Sequence, residues 1–245
     1  MISTLTLNVH KGVTALTRVS MLETLRTAVQ AVNSDLVFLQ EIVGADTSPP
    51  AANKLMNGQS QYEYLADTIW SDYAYGKNAV YESGHHGNAI LSRYPIKDSR
   101  NHDISHDGDE SRGLLHAVVE RPAPLHAICV HLGLKEKHRR LQSAALCDFI
   151  DREIPAHEPL IVAGDFNDWR LSSHHLLSTR AHLTEVFSAV AGRPARTFPA
   201  RLPVLPLDRI YVRAARTLSA TVLSSAPWSK LSDHAGLLTR LELSA

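Results

Sequence analysis

Hydrophobic positions recur along this chain as short blocks, each closed by a side chain able to bind metal or move protons. Thr4-Leu5-Thr6-Leu7 closes on Asn8, and Asp35-Leu36-Val37-Phe38-Leu39 closes on Gln40-Glu41. Leu125-His126-Ala127-Ile128-Cys129-Val130 closes on His131, and Pro159-Leu160-Ile161-Val162-Ala163 runs into Gly164-Asp165-Phe166-Asn167-Asp168. Leu205-Pro206-Leu207 leads into Asp208-Arg209-Ile210-Tyr211, and Leu231 leads into Ser232-Asp233-His234. Short apolar runs bounded by polar stops read as strands. Their repeated polar endings predict a sheet edge where strand ends converge on one cleft.

The remaining pattern fills in the elements. Residues 2–9 alternate as a strand, and Val19 to Val32 carries a helical stripe of Leu22, Leu25, Val29 and Val32. Asp35 to Gln40 is apolar on both faces, hence a doubly covered strand. Residues 43–60, with Pro49, Pro50 and Gly58, read as loop, and Tyr62 to Trp70 as a short helix. Ala79 to Tyr81, Asn88 to Leu91, Gly113 to Glu120 and Leu125 to Val130 read as an antiparallel run. Lys135 to Arg152 is helical, Leu160 to Ala163 a strand, and 173–190 one or two short helices. Asp208 to Val212, Ser219 to Leu223 and Ala235 to Leu243 close the chain as strands. Strands with helices on their outer faces predict an α/β sandwich around two central sheets.

Composition narrows the class. The chain has 245 residues, 44% of them hydrophobic, with no linker-like, repeat or low-complexity stretch, so one domain over 1–245 is expected. Lys plus Arg and Asp plus Glu are 25 each, so the strongly basic footprint of a non-specific nucleic-acid binder is absent. A local patch and a metal ion could still serve a nuclease. Cys129 and Cys147 fall in apolar settings and read as core thiols, which fits a reducing compartment. No stretch reaches transmembrane length and no leader is evident, so a cytoplasmic monomer is expected.

The chemistry starts with Asp165 and Asn167. An acid that can take a proton, beside an amide that can hold an oxyanion, suits water attack on a phosphate ester. Taken with Asn8, Gln40-Glu41, Gly87-Asn88-Ala89-Ile90-Leu91-Ser92, His131, Leu207-Asp208-Arg209-Ile210 and Ser232-Asp233-His234, the ordered set resembles the endonuclease/exonuclease/phosphatase superfamily across essentially the whole chain. The match is best with an uncharacterised bacterial branch carrying Asn8-Val9-His10-Lys11-Gly12 and Gly164-Asp165-Phe166-Asn167-Asp168-Trp169. The resemblance implies a DNase I-like α/β (α+β) fold, a four-layered sandwich with two central, mostly antiparallel sheets. It also implies hydrolysis of phosphoesters with a divalent cation, Mg²⁺ or Mn²⁺. Where AP endonucleases carry an acid two residues after the first Asn, this chain has His10, and their tyrosine is replaced by His131.

Within that frame Glu41 is the expected metal ligand, since magnesium favours hard oxygen donors. Asn8 would touch the ion or its water or orient Glu41, and Asp233 would complete the shell or hold a neighbour. Asp165 is the candidate base and Asn167 a phosphoryl donor, against an Asx-type turn as the plain alternative. His234, its ring held by Asp208, would face the scissile phosphate or move a proton, and His131 would be a second phosphate contact or leaving-group acid. Arg112 would clamp a phosphate, against pairing with Asp109 or Glu110, and Asn88 would shape the phosphate side of the site. Thr197-Phe198-Pro199 reads as a substrate rim or an ordinary loop, and Leu202, Pro203, Val204 and Leu205 as an apolar rim or core. His85-His86, His102, His106 and His174-His175 read mostly as solvated loop residues.

The expected activity is therefore that of a metal-dependent phosphodiesterase, nuclease or phosphatase. Its substrate would be nucleic acid, or a lipid or small phosphodiester. The competing reading is a non-catalytic binding module on the same fold.

Overall fold

In the computed structural model, residues 1–12, 18–46, 59–66 and 69–244 are described. The predicted blocks form two six-stranded sheets. The first contains β1 (Ile2–Asn8), β2 (Leu36–Asp46), β3 (Asp72–Tyr81), β4 (Gly84–Ser92), β11 (Ala215–Leu223) and β12 (Gly236–Leu243), in the order β11-β12-β1-β2-β4-β3. The second contains β5 (Ile96–Asp103), β6 (Gly113–Val119), β7 (Leu125–His131), β8 (Leu160–Asp165), β9 (Thr184–Glu185) and β10 (Asp208–Arg213), in the order β5-β6-β7-β8-β10-β9. At the heart of each sheet lies one parallel pair. β1 and β2 are joined by helix α1 (Arg18–Val32), and β7 and β8 by helix α3 (Glu136–Glu153). The other pairings are antiparallel.

Side-chain alternation distributes these strands between layers. Leu36, Phe38 and Ile90 of the first sheet meet Ala127, Cys129, Ile161, Ala163 and Ile210 of the second in a central core. The alternate residues Leu5, Leu7, Val37 and Leu39 pack outward on Leu22, Leu25 and Val29 of α1. Ile128, Val130 and Val162 do the same on Leu146, Phe149 and Ile150 of α3. The result is helix, sheet, sheet, helix. The strand blocks are apolar on both faces because both faces are covered.

Several elements depart from the sequence reading: β3 starts at Asp72 rather than Ala79, β11 starts at Ala215 rather than Ser219, and β9 is a short strand inside the expected helical region 173–190. β2 continues to Asp46 instead of stopping at Gln40, so the first residues of the expected 43–60 loop are strand. The register against β4 shifts between Leu39 and Ile42, a bulge at Gln40-Glu41 that made the strand look finished. The rest of that expected loop, with Pro49, Pro50 and Gly58, lies outside the described residues. β5, Ile-Lys-Asp-Ser-Arg-Asn-His-Asp, was not expected: it is a polar edge strand, paired only with β6. Its charges suit an edge and erase the hydrophobic alternation that would reveal it. The helix expected over Tyr62 to Trp70 spans Gln61–Ala66 as α2. The 173–190 region holds α4 (Ser172–Thr179) and α5 (Val186–Ala191).

Topology fixes where the polar strand ends meet. β1 and β2 run parallel with Asn8 opposite Gln40, and β7 and β8 run parallel with His131 opposite Asp165. β10 is antiparallel to β8 and starts with Asp208 opposite Asp165. β12 is antiparallel to β1, so His234, just before it, returns to the same edge.

Candidate active site at the paired sheet edges

Asp165 is the central residue. It is 1% exposed and ends β8 directly after Gly164, whose φ is +146°. A Cβ on Gly164 would lie 2.0 Å from the Val130 carbonyl oxygen, so the close approach of β7 and β8 here requires glycine. Asp165 Oδ1 accepts the backbone N–H of Asn167 at 2.8 Å, the Asx-type turn expected of a Gly-Asp loop. Its Oδ2 accepts Asn8 Nδ2 at 3.1 Å and faces His131 Nε2 at 3.6 Å and His234 Nε2 at 3.9 Å. Burial, and then the nearby charge of Asp208, raise the Asp165 carboxyl to about 6.

His234 is held on its other side. Its Nδ1 stands 2.8 Å from Asp208 Oδ2, and both residues are buried. Burial alone would lower the imidazole, but the charge and hydrogen bond of Asp208, then Asp165, lift it to about 10. It is an imidazolium at neutral pH. The Phe198 ring lies 5.1 Å from the His234 ring, tilted at 56° to it, the Thr197 hydroxyl accepts the Asp208 N–H, and Ala200 N–H donates to the Asp233 carbonyl. The Thr197-Phe198-Pro199 segment thus packs directly behind the His234 motif. His131 behaves oppositely: burial, then the positive charges of Arg112 and His234, push it well below the ordinary histidine range, so it is neutral.

Glu41 sits in the β2 bulge at φ +55°, in the left-handed region that non-glycine residues avoid. That twist turns its carboxylate to the cleft. Oε1 accepts Asn8 Nδ2 at 3.2 Å and lies 3.9 Å from His131 Nε2, and Oε2 lies 3.8 Å from His10 Nδ1. Asn8 therefore bridges Glu41 and Asp165, while its Oδ1 accepts the backbone N–H of His10. Asp233 Oδ1 is 3.6 Å from the same His10 Nδ1.

The Glu41 and Asp233 carboxylates fit a hard divalent cation, while Asn8 turns its Nδ2 rather than its oxygen to Glu41 and so orients that carboxylate. Asp165, Asp208 and His234 also lie within ligand spacing of one another. Within that trio His234 Nδ1 and Asp208 Oδ2 are already joined at 2.8 Å.

The two residues expected on the phosphate side, Asn88 and Arg112, are both buried. Asn88 Nδ2 donates to the carbonyls of Gly113 and Cys129, tying the two sheets, while its buried Oδ1 has no partner among the described residues. Arg112 Nη1 pairs with Glu110 Oε2 at 2.6 Å, and its buried Nε has no partner among the described residues. Glu110 Oε1 in turn meets His86 Nε2 at 3.1 Å and the Tyr81 hydroxyl. Asn167 Nδ2 donates to the Leu132 carbonyl at 2.9 Å, leaving one amide hydrogen.

Several residues escaped the sequence reading. His86 is a buried β4 residue, His102 lies on β5 against Phe149, and His174 and His175 ride on α4, so these are not loop histidines. The glycines flanking His85-His86 imitated a turn. Lys11 Nζ lies 5.3 Å over the Tyr81 ring, on the wall beside Arg112. Arg209, fully buried, pairs with Asp168 Oδ2 at 3.2 Å and fastens the Asp165 loop to β10. Leu202 and Val204 are 73% and 48% exposed, so the core alternative fails for them. Cys129 and Cys147 are buried free thiols, as expected.

Comparisons with known proteins agree with this fold. The chain is 50% identical over 242 residues to the protein YbhP of Escherichia coli strain K12, covering 98% of this chain and 95% of that one. Among solved structures it is similar to D. rerio TDP2 complexed with a single-strand DNA product (TM-score 0.74, 17% identity, 98% of each chain). It is also similar to the Bacteroides thetaiotaomicron mannosyl-6-phosphatase Bt3783 (TM-score 0.75, 14% identity, 99% of this chain and 100% of that one). Residues 5–234 match the model of one family, and the chain accordingly belongs to the Endonuclease/Exonuclease/phosphatase family.

Proposed function

We propose that this chain is a divalent-metal-dependent phosphoester hydrolase, acting by in-line attack of water from one domain over 1–245. The observation that supports it most is the opposition of two buried groups across 3.9 Å: the raised carboxyl of Asp165 and the imidazolium of His234. A base that titrates near neutrality beside an acid that stays charged is what proton transfer in both directions needs.

In this reading Asp165 Oδ2 takes a proton from water as its oxygen bonds to phosphorus. The ester P–O bond breaks, and the leaving oxygen takes a proton from His234. The proton now on Asp165 then resets the pair across the same gap. Asp208 holds the imidazole ring and its charge. His131, being neutral, serves as a phosphate contact rather than the leaving-group acid. Asn167 gives its remaining amide hydrogen to a phosphoryl oxygen and Arg112 supplies a positive charge, while Asn88, fully buried with its Nδ2 on two carbonyls, shapes the site from behind. Asn8 positions Asp165 and Glu41 together. A bound Mg²⁺ or Mn²⁺, held by Glu41 with Asn8 and Asp233 beside it, would neutralise phosphate charge.

Substrate choice is open between nucleic acid and a lipid or small phosphodiester. One neighbour carries a DNA product and another is a sugar phosphatase, so the fold does not decide. The test is turnover of bis-p-nitrophenyl phosphate, then of DNA, RNA, phospholipids and inositol phosphates, with Mg²⁺ or Mn²⁺. Metal-dependent turnover that falls by several orders of magnitude in Asp165→Asn and His234→Ala is the expected result. No turnover on any of them by pure, folded protein would sink the reading.

A further inference from the structure

His10 has no place in the reaction just described, yet it stands between two of its carboxylates. Its Nδ1 is 3.8 Å from Glu41 Oε2 and 3.6 Å from Asp233 Oδ1. Those separations exceed hydrogen-bond reach. They match the spacing of atoms that share one small cation, because bonds of about 2.0–2.2 Å put neighbouring donors roughly 3–4 Å apart. The side chain is 53% exposed, so it is no core histidine.

The backbone aims it there. His10 and Lys11 have φ of +46° and +57°, and Gly12 has +67°. Three successive left-handed residues make a tight turn, pinned by the His10 N–H on Asn8 Oδ1 at 3.0 Å and by the Gly12 N–H on the Val9 carbonyl. The turn is costly for His and Lys. It brings the imidazole back over the end of β1, level with Glu41.

We propose that His10 is a nitrogen ligand of the divalent cation held by Glu41, and that it biases the site from magnesium toward borderline transition ions such as manganese. The inference rests on the phosphoesterase reading only for the presence of a cation at Glu41. The selectivity follows from donor chemistry. Imidazole suits transition ions, whereas magnesium is served best by oxygen and by its own waters.

Binding of Mn²⁺ and Mg²⁺ to the substrate-free protein would be measured by calorimetry. Pulsed electron paramagnetic resonance of the Mn²⁺ form would report ¹⁴N coupling. His10→Asn and His10→Asp both tolerate the left-handed turn and carry no imidazole. Wild-type protein should show nitrogen coupling, both His10 variants should lose it, and His131→Asn should keep it. The preference for Mn²⁺ over Mg²⁺ should fall about ten-fold or more in the His10 variants. Mn²⁺ bound without nitrogen coupling, or coupling retained in His10→Asn, overturns the assignment and leaves the carboxylate site standing. Failure of Mn²⁺ to bind at all overturns both.

Discussion

His234 Nδ1 and Asp208 Oδ2 lie 2.8 Å apart although the two residues come from different segments, one opening β10 and the other preceding β12. The pair fixes which nitrogen of the ring faces Asp165, and Asp208 is the chief source of its raised proton affinity. Asp208→Asn keeps the shape and removes the charge. It should lower kcat by about 10²–10⁴. A loss under three-fold, measured on bis-p-nitrophenyl phosphate at pH 7.5, would remove Asp208 from the reaction.

The pH dependence has a worked direction. Asp165 must be ionised to act as base, so activity should rise as pH climbs through about 6. His234 must be protonated, so activity should fall as pH climbs through about 10. The expected profile of kcat/KM is a broad bell, measured on a diester, whose phosphate does not titrate in this range. Asp208→Asn should move the alkaline limb down by at least one unit, because the remaining burial disfavours the imidazolium. An alkaline limb that stays in place assigns it to some other group.

Much of this site was legible in the sequence, for a physical reason. Asn8, His131 and Asp165 each end a buried strand, and a buried strand announces itself as an unbroken apolar block. Glu41 is reached by a different local structure from the one its sequence suggests. It looked like a strand end and is a bulge within a longer strand. β5 was illegible because an edge strand of charged residues has no core-facing alternation to read. The Tyr81–His86–Glu110–Arg112 network was equally hidden, since its members come from two strands of the first sheet, β3 and β4, and from the loop between β5 and β6. Only three-dimensional register brings them together. His10 was visible as a departure from a pattern, and its two carboxylate neighbours appear only in space.

Arg112 illustrates a choice that sequence left even. Its guanidinium pairs with Glu110, which the hydrogen bond of His86, then Tyr81 and Arg112, hold far below the usual carboxylate range despite partial burial. Its Nε is buried and has no partner among the described residues, so the Glu110 pair does not use all of its donors. Glu110→Gln should cost about 1–2 kcal/mol of stability, discounted for its exposure, and leave KM within about two-fold. Arg112→Met should cost stability and also raise KM about ten-fold, the loss of a charged contact to substrate. If urea midpoints fall in both variants while KM is unmoved in Arg112→Met, the residue belongs wholly to the Glu110 pair.

The far end of β7 holds a second histidine pair whose effect is on stability rather than chemistry. His116 Nε2 lies 2.9 Å from His126 Nδ1 with the rings stacked at 5.2 Å, and His126 Nε2 lies 2.5 Å from Glu158 Oε2. Burial, then the charge of His126, lower His116 to about 4. The folded state thus binds its proton more weakly than the unfolded chain, whose histidine titrates near 6.5. The stabilising contribution of the neutral ring is complete above pH 6.5 and is lost as pH falls toward 4. Linkage sets the loss at up to about 3 kcal/mol, less where solvent reaches the ring. His131 also resists protonation, but it does so in wild type and variant alike, so comparing the two isolates His116. The urea midpoint of wild type should therefore drop more steeply between pH 6.5 and 4 than that of His116→Leu. Parallel slopes would mean that the stack accepts its second proton freely, and that the close Nε2–Nδ1 contact does not govern acid unfolding.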